Sequence, residues 1–283
     1  MEIIFEDRGM IIRSEELSAL IISDLHLGIE DEISEEKGVH FPLQHSNILD
    51  RVNSLVTKYD ITELFIIGDV KHTIFTDTPY NWEILPEFMS NLNEIADTTV
   101  IPGNHDGDLE SLLPRSVRLT DVRGIVIGKG REKIGLLHGH SWPDPLLLET
   151  SKIVIGHSHP SVNRFRVVST PELGRSERRR FAGSVPVILQ SQLSKNCVRR
   201  QMGLLEIEKD DRAILVTLPS FNQLISGLAV NLPRSEMQGT FFENSCTSLL
   251  DSEVFSIEGL FLGTVGWMRE QFNETIKSNA NGD

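Results

Sequence analysis

Short runs of apolar and mostly β-branched residues recur along the first half of the chain, separated by polar segments. Strands that are covered on both faces have such continuous apolar runs, because neither face meets water. The pattern predicts buried strands at Ala19–Ile22, Leu64–Ile67, Thr99–Ile101, Ile134–Leu137 and Ile153–Ile155.

Between these runs, apolar residues recur at helical spacing. Ser46–Lys58 has one apolar face, and Ser46 is available as its N-cap. Glu83–Ala96 has a similar face, and its Pro86 is tolerated in the first helical turn. The alternation of strands and helices predicts an α/β fold with a central sheet.

From about Arg164 the chain becomes polar and rich in arginine, and strand-like runs follow at Val185–Leu189, Gly203–Ile207 and Ala213–Leu218. No internal repeat or Gly/Ser linker divides the sequence, so we expect one domain over residues 1–283. Within it, we expect core motifs in residues 1–160, a basic segment with added β structure in 161–235, and an extension of unknown role in 236–283.

The chain has 283 residues, 39% hydrophobic and 24% charged, and is long enough to bury a sizeable core. This composition excludes disordered, collagen-like and disulfide-scaffold proteins. The formal net charge is -14, so the average surface repels nucleic acid and anionic membranes. A phosphate-bearing partner must therefore meet a locally positive site.

The two cysteines, Cys197 and Cys246, match no metal-binding spacing. We interpret them as reduced intracellular thiols, with a stabilising disulfide as the alternative. The N-terminal segment has no basic stretch followed by an apolar core, and no apolar run approaches the ~20 residues that cross a bilayer. We therefore expect a soluble, cytoplasmic protein.

Residues that can bind metals follow each predicted strand, directly or after a tight turn that contains glycine. The candidate ligands are Asp24, His26, Asp69, Asn104, His138, His157 and His159. Since ligands of open α/β sheets bind beyond the carboxyl ends of the strands, these side chains are expected to converge at one edge. The spacings D-x-H and H-x-H would place two donors on one side of an extended segment.

Imidazole, carboxylate and amide donors without a thiolate suit Mn, Fe, Zn or Ni better than Ca. Two metals bridged by one carboxylate and a hydroxide would use all the candidate ligands. The two aspartates and the hydroxide would leave the pair of divalent ions with a net charge of about +1, which attracts a phosphodiester. The alternative is a set of unrelated buried polar residues, which requires an independent coincidence at each strand end.

The ordered motifs SDLH, GDVKH, GNHD, HGH and GHSHP resemble those of the calcineurin-like metallophosphoesterases. GDVKH and GNHD are most similar to the SbcD-type nuclease branch. SDLHLG, the acidic segment that ends in GVHFP, GHSHP and Leu218–Asn231 look like archaeal SbcD-related phosphoesterases and the group of the ligase-associated endonuclease PdeM. The resemblance implies a two-sheet α/β sandwich with flanking helices and a dinuclear metal site at the strand ends.

The same resemblance implies roles for individual residues. One ion would be held by Asp24, His26 and His159, the other by Asn104, His138 and His157, with Asp69 bridging. A hydroxide activated by both ions would attack phosphorus. His105 would be the general acid for the leaving alkoxide, oriented by its neighbour Asp106. His72 and His140 are expected to border the pocket and face the substrate.

A basic segment over residues 164–200 holds nine basic and two acidic side chains. Arginine binds phosphate through paired hydrogen bonds, so Arg178, Arg179 and Arg180 are candidate substrate contacts. With few aromatic residues nearby, contact with the nucleic-acid backbone is expected rather than reading of bases. The alternative is a solvated loop without a role.

One further segment and one further residue are expected to be exposed. The acidic run from Glu30 to Glu36 has too few apolar residues to be buried and predicts an exposed helix start, a possible lid or partner surface. Lys71 is interpreted as a solvated turn residue.

The sequence therefore predicts a metal-dependent phosphodiesterase, nuclease-like on DNA or RNA, that uses two divalent ions, with Mn preferred. One alternative is a phosphodiesterase or monoesterase for a small nucleotide or phosphorylated metabolite. Another is a non-catalytic scaffold, which should have lost ligands that this chain retains. A DNA-repair partner is suggested by analogy alone.

Overall fold

Two β-sheets pack face to face in a computed structural model that describes residues 1–38, 41–74, 78–168, 178–208 and 211–280. The first sheet contains, in this order, β1 (Glu2–Glu6), β2 (Gly9–Arg13), β3 (Ser18–Ile22), β4 (Glu63–Ile67), β5 (Asp97–Ile101) and β6 (Arg118–Leu119). β3 to β6 are parallel, and β1 and β2 extend the sheet as antiparallel strands.

The second sheet contains β7 (Ile125–Ile127), β8 (Ile134–Leu136), β9 (Lys152–Ile155), β12 (Ile188–Ser194), β13 (Arg212–Thr217), β15 (Glu253–Phe255) and β16 (Phe261–Thr264). Its order is β16-β15-β12-β13-β9-β8-β7, with β13, β9 and β8 parallel. A small third sheet pairs β10 (Pro160–Val168) with β11 (Arg178–Pro186) and β14 (Leu228–Ala229).

The α-helices are α1 (Ile29–Lys37), α2 (Gln44–Tyr59), α3 (Pro79–Glu83), α4 (Leu85–Ile95), α5 (Lys195–Gln201), α6 (Thr240–Glu243) and α7 (Val265–Ala280). Short 3-10 helices occur at Leu109–Ser111, Gly130–Glu132 and Pro145–Glu149. α2 and α4 cover the outer face of the first sheet, where Val52 and Phe88 join a core cluster with Leu20 and Ile66. Apolar side chains of both sheets form the core between them.

The predicted two-sheet α/β sandwich with flanking helices is confirmed. All five strands predicted in the first 155 residues are present, as β3, β4, β5, β8 and β9. The strand predicted at Gly203–Ile207 is wrong, because this segment is outside the sheets and Leu205 is 87% exposed. β1 and β2 were not predicted.

The N-terminus of α2 is formed differently from the prediction. The helix begins at Gln44, so Ser46 lies inside it and is not the N-cap. Glu30 of α1 supplies the cap instead, since its carboxylate accepts a hydrogen bond of 2.6 Å from the Gln44 N–H. Glu30 is consequently buried, although the acidic run was expected to be exposed. Lys71 is buried as well, and its interpretation as a solvated residue is wrong.

The interpretation of the cysteines as free thiols is also wrong. Cys197 of α5 and Cys246, which follows α6, form a disulfide with a Cα–Cα distance of 5.2 Å. The pairing was not predicted because the two cysteines are 49 residues apart in the sequence. Among the described residues, no helix is both long enough and apolar enough to cross a membrane.

Candidate metal centre

The carboxyl ends of β3, β4 and β5 meet at one edge of the first sheet, because the strands are parallel neighbours. Asp24 and His26 follow β3, Asp69 follows β4, and Asn104 follows β5. The topology therefore brings the donors of the first half of the chain to one edge.

The second sheet contributes from the opposite side. β8 and β9 are parallel neighbours, and they lead to His138 and to the pair His157 and His159. His159 reaches across to Asp24, and His138 reaches across to Asp69. All the predicted ligands thus lie at one junction between the two sheets.

Most of these residues have a positive φ angle, which L-amino acids other than Asn and Asp rarely adopt. The angles are 57° at Asp24, 41° at His26, 53° at Asp69, 67° at His157 and 40° at His159. The backbone therefore turns sharply where each strand ends. The extended geometry expected for D-x-H and H-x-H is absent at these positions, and the turns aim the donors instead.

Two glycines permit the close approach of these turns. A Cβ atom on Gly103 would lie 2.2 Å from Asp69 Oδ1, and one on Gly68 would lie 2.2 Å from His138 Nδ1. Neither distance is sterically possible. The glycines of GNHD and GDVKH therefore leave room for the side chains of the centre.

The first cluster consists of Asp24, His26 and His159. His159 Nε2 lies 2.9 Å from Asp24 Oδ1 and 3.4 Å from His26 Nε2. Donor atoms of all three residues lie within 4.8 Å of one another, so they can hold a single cation. This is the set that the family resemblance assigns to one ion.

The second cluster consists of Asp69, His138 and His157, whose donor atoms also lie within 4.8 Å of one another. His138 Nε2 is 3.2 Å from Asp69 Oδ2 and 3.2 Å from the Asn104 side-chain oxygen. His138 Nδ1 lies 2.9 Å from the carbonyl of Ile67, to which it donates. This bond directs Nε2 into the cluster.

Asp69 lies between the two clusters. Its Oδ2 is 3.6 Å from His26 Nε2 in the first cluster and 3.2 Å from His138 Nε2 in the second. Its Oδ1 accepts a hydrogen bond of 2.9 Å from the His105 N–H, which holds the carboxylate in place. Asp69 is therefore placed to contact two cations at once.

Burial sets the charge states of the donors. It lowers the pKa of His26 to about 3 and that of His157 to about 4, so both are neutral at pH 7. Burial also opposes the charge of His138, but Asp69 and Asp24 outweigh it and raise the pKa of His138 to about 9. A divalent cation would take the place of the His138 proton beside these carboxylates. The donor set thus fits divalent cations such as Mn, Fe, Zn or Ni.

The loop that follows β13 supports the first cluster from behind. Ser220 Oγ donates to the Asp24 carbonyl at 2.6 Å, and Asn222 Nδ2 donates to the Leu25 carbonyl at 2.7 Å. The Phe221 N–H donates to the Ser23 carbonyl at 2.8 Å. These buried residues belong to Leu218–Asn231, a segment that the sequence indicated only through its family resemblance.

His105 and Asp106 are arranged differently from the expectation. Asp106 is buried, and its carboxylate accepts bonds from the N–H groups of Val70 (2.9 Å) and Gly103 (2.8 Å) instead of orienting His105. His105 Nδ1 donates to the carbonyl of His72, and its Nε2 lies 3.9 Å from Asp69 Oδ2. The His72 carbonyl therefore has the orienting position that the family resemblance assigns to Asp106.

His72 and His140 both lie beside the centre. His72 Nδ1 is 3.4 Å from His26 Nδ1, and its Nε2 is 2.9 Å from a carboxylate oxygen of Glu32. The His140 ring lies 5.2 Å from that of His138, and burial lowers the pKa of His140 to about 4. Its buried Nδ1 has no hydrogen-bond partner among the described residues.

A cavity of about 400 Å³ opens over the clusters, lined by His26, Asp69, Asn104, His105, His157, Ser158, His159, Gly227, Leu228 and Gln238. Gly227, Leu228 and Gln238 were not predicted, because they follow β13 by many residues and carry no metal donors of their own. Arg178, Arg179 and Arg180 begin β11, but their side chains lie outside the described part of the structure.

A family model described as calcineurin-like phosphoesterase matches residues 17–185, more than half of the chain. No curated protein sequence matches significantly. Among solved structures, nuclease MPE of Pseudomonas putida is 18% identical with a TM-score of 0.49, over 90% of this chain and 92% of that chain. The E. coli phosphoesterase YfcE is 18% identical with a TM-score of 0.33, over 59% of this chain and 97% of that chain.

Proposed function

The chain belongs to the calcineurin-like phosphoesterase family, and from this premise we propose that it hydrolyses phosphodiester bonds with two divalent ions. Hydrolysis of phosphoester bonds is the activity of the family; the diester substrate and the two-ion site are our proposal. The observation that carries it is the position of Asp69, whose Oδ2 is 3.6 Å from His26 Nε2 and 3.2 Å from His138 Nε2.

The proposed ligands of one ion are Asp24, His26 and His159, and those of the other are Asn104, His138 and His157, with Asp69 shared. When bound, two such ions supply a nucleophile from water and neutralise the charge of the phosphate. Asp24 and Asp69 would hold the ions electrostatically, and the imidazoles of the clusters would fix the positions of the ions.

We assign the proton transfer to His105. Because Nδ1 donates to the His72 carbonyl, Nε2 is the nitrogen that can carry a second proton and release it. His105 lines the cavity, so Nε2 can reach the oxygen of the leaving group. Nε2 lies 3.9 Å from Asp69 Oδ2, at the edge of the proposed centre.

We propose nucleic acid, DNA or RNA, as the substrate and Mn as the preferred metal. Support comes from the nine basic side chains in the segment 164–200, which continues directly from the loop of His157 and His159. A small nucleotide or phosphorylated metabolite is the second candidate, favoured by the cavity of about 400 Å³. A role with a DNA-repair partner remains a proposal by analogy.

The sequence alone led us to expect a cytoplasmic location. The disulfide between Cys197 and Cys246 argues for an oxidising compartment instead, since reducing compartments keep such thiols free.

The first test is hydrolysis of bis(p-nitrophenyl) phosphate by metal-stripped protein that is resupplied with Mn²⁺. Wild type should turn over and bind two ions, whereas Asp69→Asn should lose both the activity and the two-ion stoichiometry, because one carboxylate contacts both clusters. Asp108→Asn is the matched control, since this exposed aspartate lies in the loop after GNHD, outside the clusters. Retention of two ions by Asp69→Asn, measured by elemental analysis, would contradict the bridging role.

A further inference from the structure

We propose that Glu32 and His72 form a hydrogen-bonded relay that fixes the tautomer and orientation of His26, and thereby sets the affinity for the ion held by the first cluster. The inference deepens the proposed function and rests on it, because His26 must be a metal ligand. Glu32 and His72 would be positioning residues that act through His26.

The two ring nitrogens of His26 face different surroundings. Nε2 points into the centre, 3.6 Å from Asp69 Oδ2 and 3.4 Å from His159 Nε2. Nδ1 points away from the centre, and lies 3.4 Å from Nδ1 of His72. A cation in the first cluster would therefore bind Nε2 and leave Nδ1 for a hydrogen bond.

This geometry permits a single arrangement of protons. Nε2 of His26 must keep its lone pair to bind a cation, so the proton of the neutral ring is on Nδ1. His26 then donates through Nδ1 to Nδ1 of His72, which must be an acceptor. The proton of His72 is consequently on Nε2, and it points at the carboxylate oxygen of Glu32, 2.9 Å away. Each N–H donor of this relay therefore has an acceptor.

The backbone holds the two imidazoles in register. Leu27, next to His26, donates its N–H to the Val70 carbonyl at 2.9 Å, and the His72 N–H donates to the Leu27 carbonyl at 3.0 Å. Leu27 and Lys71 form an isolated parallel bridge between the loops. The relay thus joins two fixed loops, and Glu32 extends it to α1.

A carboxylate at the far end of such a hydrogen-bonded relay orients the histidine that binds the metal and makes that histidine a better electron donor. Losing a partner of this kind weakens metal binding about 10- to 100-fold in proteins where it has been measured. The effect should be confined to the ion that His26 binds, because the described contacts of Glu32 and His72 are with the first cluster and with His105. The acidic run of α1, which the sequence could interpret only as exposed surface, thereby acquires a specific role for Glu32.

A competing interpretation makes His72 a ligand itself. Donor nitrogens of His26, His72 and His105 lie within 4.8 Å of one another, as a cation site would require. In that case the protein would bind a further ion that requires His72. The relay predicts no such ion, so the number of metal ions bound per protein distinguishes the relay from a ligand role of His72.

The experiment is a titration of metal-stripped full-length protein with Mn²⁺, followed by calorimetry and by electron paramagnetic resonance of the free ion. The variants are His72→Phe and Glu32→Ala. Asp31→Ala is the matched control, because it removes the same charge from an exposed neighbour on the same helix. Circular dichroism checks the fold, and Glu32→Ala, at a side chain that is 60% exposed, keeps the test available if His72→Phe unfolds.

We expect two binding steps in the wild type. His72→Phe should weaken one step about 10- to 100-fold and leave the other unchanged, Glu32→Ala should weaken the same step by a smaller factor, and Asp31→Ala should match the wild type. In Co²⁺-loaded protein, the His26 Nδ1 proton should give a shifted, exchange-protected NMR signal. In His72→Phe this proton should exchange rapidly with solvent, so that its signal is lost. A purely structural role of His72 would not require that loss.

The outcomes distinguish this proposal from the proposed function. Two ions bound with unchanged affinity in both relay variants would overturn the relay and leave the metal centre intact. A third ion that His72→Phe removes would overturn it in favour of a ligand role. A wild type that binds no Mn²⁺ would overturn the metal centre itself, and the relay with it.

Discussion

At the scale of single residues, His105 has two nitrogens with separate tasks. Nδ1 is engaged by the His72 carbonyl, and Nε2 is directed toward the cavity and Asp69. An imidazole held in this way cannot present its other nitrogen to the substrate, so the proton delivery that we propose would depend on Nε2 alone.

The variant His105→Ala should retain both metal ions, because neither the first cluster nor the second includes its side chain. Turnover should fall about 10² to 10⁴-fold on a diester with an alkyl leaving group, which must be protonated as it departs. The loss should be much smaller with p-nitrophenolate, which leaves without a proton. Equal losses on both substrates would remove the general-acid role.

Gly103→Ala should disable the centre although glycine has no functional group. The new Cβ would lie 2.2 Å from Asp69 Oδ1 and 2.5 Å from the Asp69 nitrogen, so the Asp69 carboxylate must move. We expect loss of two-ion binding, measured by elemental analysis. Gly107→Ala in the same loop is the control, since its nearest neighbour would be the Ile74 carbonyl oxygen at 3.9 Å. Normal metal content in Gly103→Ala would contradict this packing argument.

At the scale of elements, the disulfide joins α5 to the segment that carries α6. That segment also lines the centre, because Ser158 Oγ donates to the Gln238 carbonyl at 2.7 Å and the Thr240 N–H donates to Gly139. The disulfide between Cys197 and Cys246 therefore restrains the segment of α6, which begins at the rim of the cavity.

Reduction of this disulfide should lower the free energy of unfolding by about 3 to 4 kcal/mol, since the bond closes a loop of 49 residues in the unfolded chain. The measurement is urea denaturation with and without dithiothreitol. A variant with both cysteines changed to serine should resemble the reduced wild type and should not respond to the reductant. A wild type that does not respond either would show that the bond adds no stability.

Sequence patterns predicted the strands that can be recognised from their own residues. β3, β4, β5, β8 and β9 were found because a strand buried on both faces must be apolar throughout. The donors that follow them were found because chain order and parallel pairing determine where strand ends meet. Apolar patterning was therefore sufficient for the sheet centre, and chain order was sufficient to predict that the seven candidate side chains converge; their role as ligands stays a prediction.

Elements that depend on distant partners were missed. The start of α2 is set by Glu30, which is 14 residues away from Gln44 and in another helix. Gly203–Ile207 has the composition of a strand, but it has no neighbouring strand, and Asn196 binds Ile207 through side-chain hydrogen bonds instead. The orientation of His105 by a carbonyl of the β4 loop likewise depends on tertiary packing that no local pattern contains.

At the scale of the whole molecule, charge is distributed unevenly. The chain carries -14, yet nine basic side chains fall between residues 164 and 200. A polyanion would be repelled by the acidic remainder of the chain and attracted to a segment in which basic side chains predominate. The uneven distribution is the physical basis for expecting a polymer as substrate.

Changing Arg178, Arg179 and Arg180 together to Ala should lower turnover of a single-stranded oligonucleotide and reduce the slope of log affinity against log salt by roughly 2. Hydrolysis of bis(p-nitrophenyl) phosphate should be unaffected. The control changes Arg13, Arg115 and Arg118 to Ala, which removes the same charge at exposed positions outside the segment. An unaltered salt slope in the first variant would favour the small-nucleotide substrate.

The positive φ angles of Asp24, His26, Asp69, His157 and His159 have a consequence for how the chain can evolve. A left-handed backbone costs an ordinary residue about 1 kcal/mol or more, and glycine largely avoids this steric cost. Selection for heat resistance alone would therefore tend to favour glycine at these turns, whereas selection for metal-dependent chemistry retains aspartate and histidine. The centre is thus a place where laboratory evolution toward stability should yield well-folded proteins that have lost their ligands.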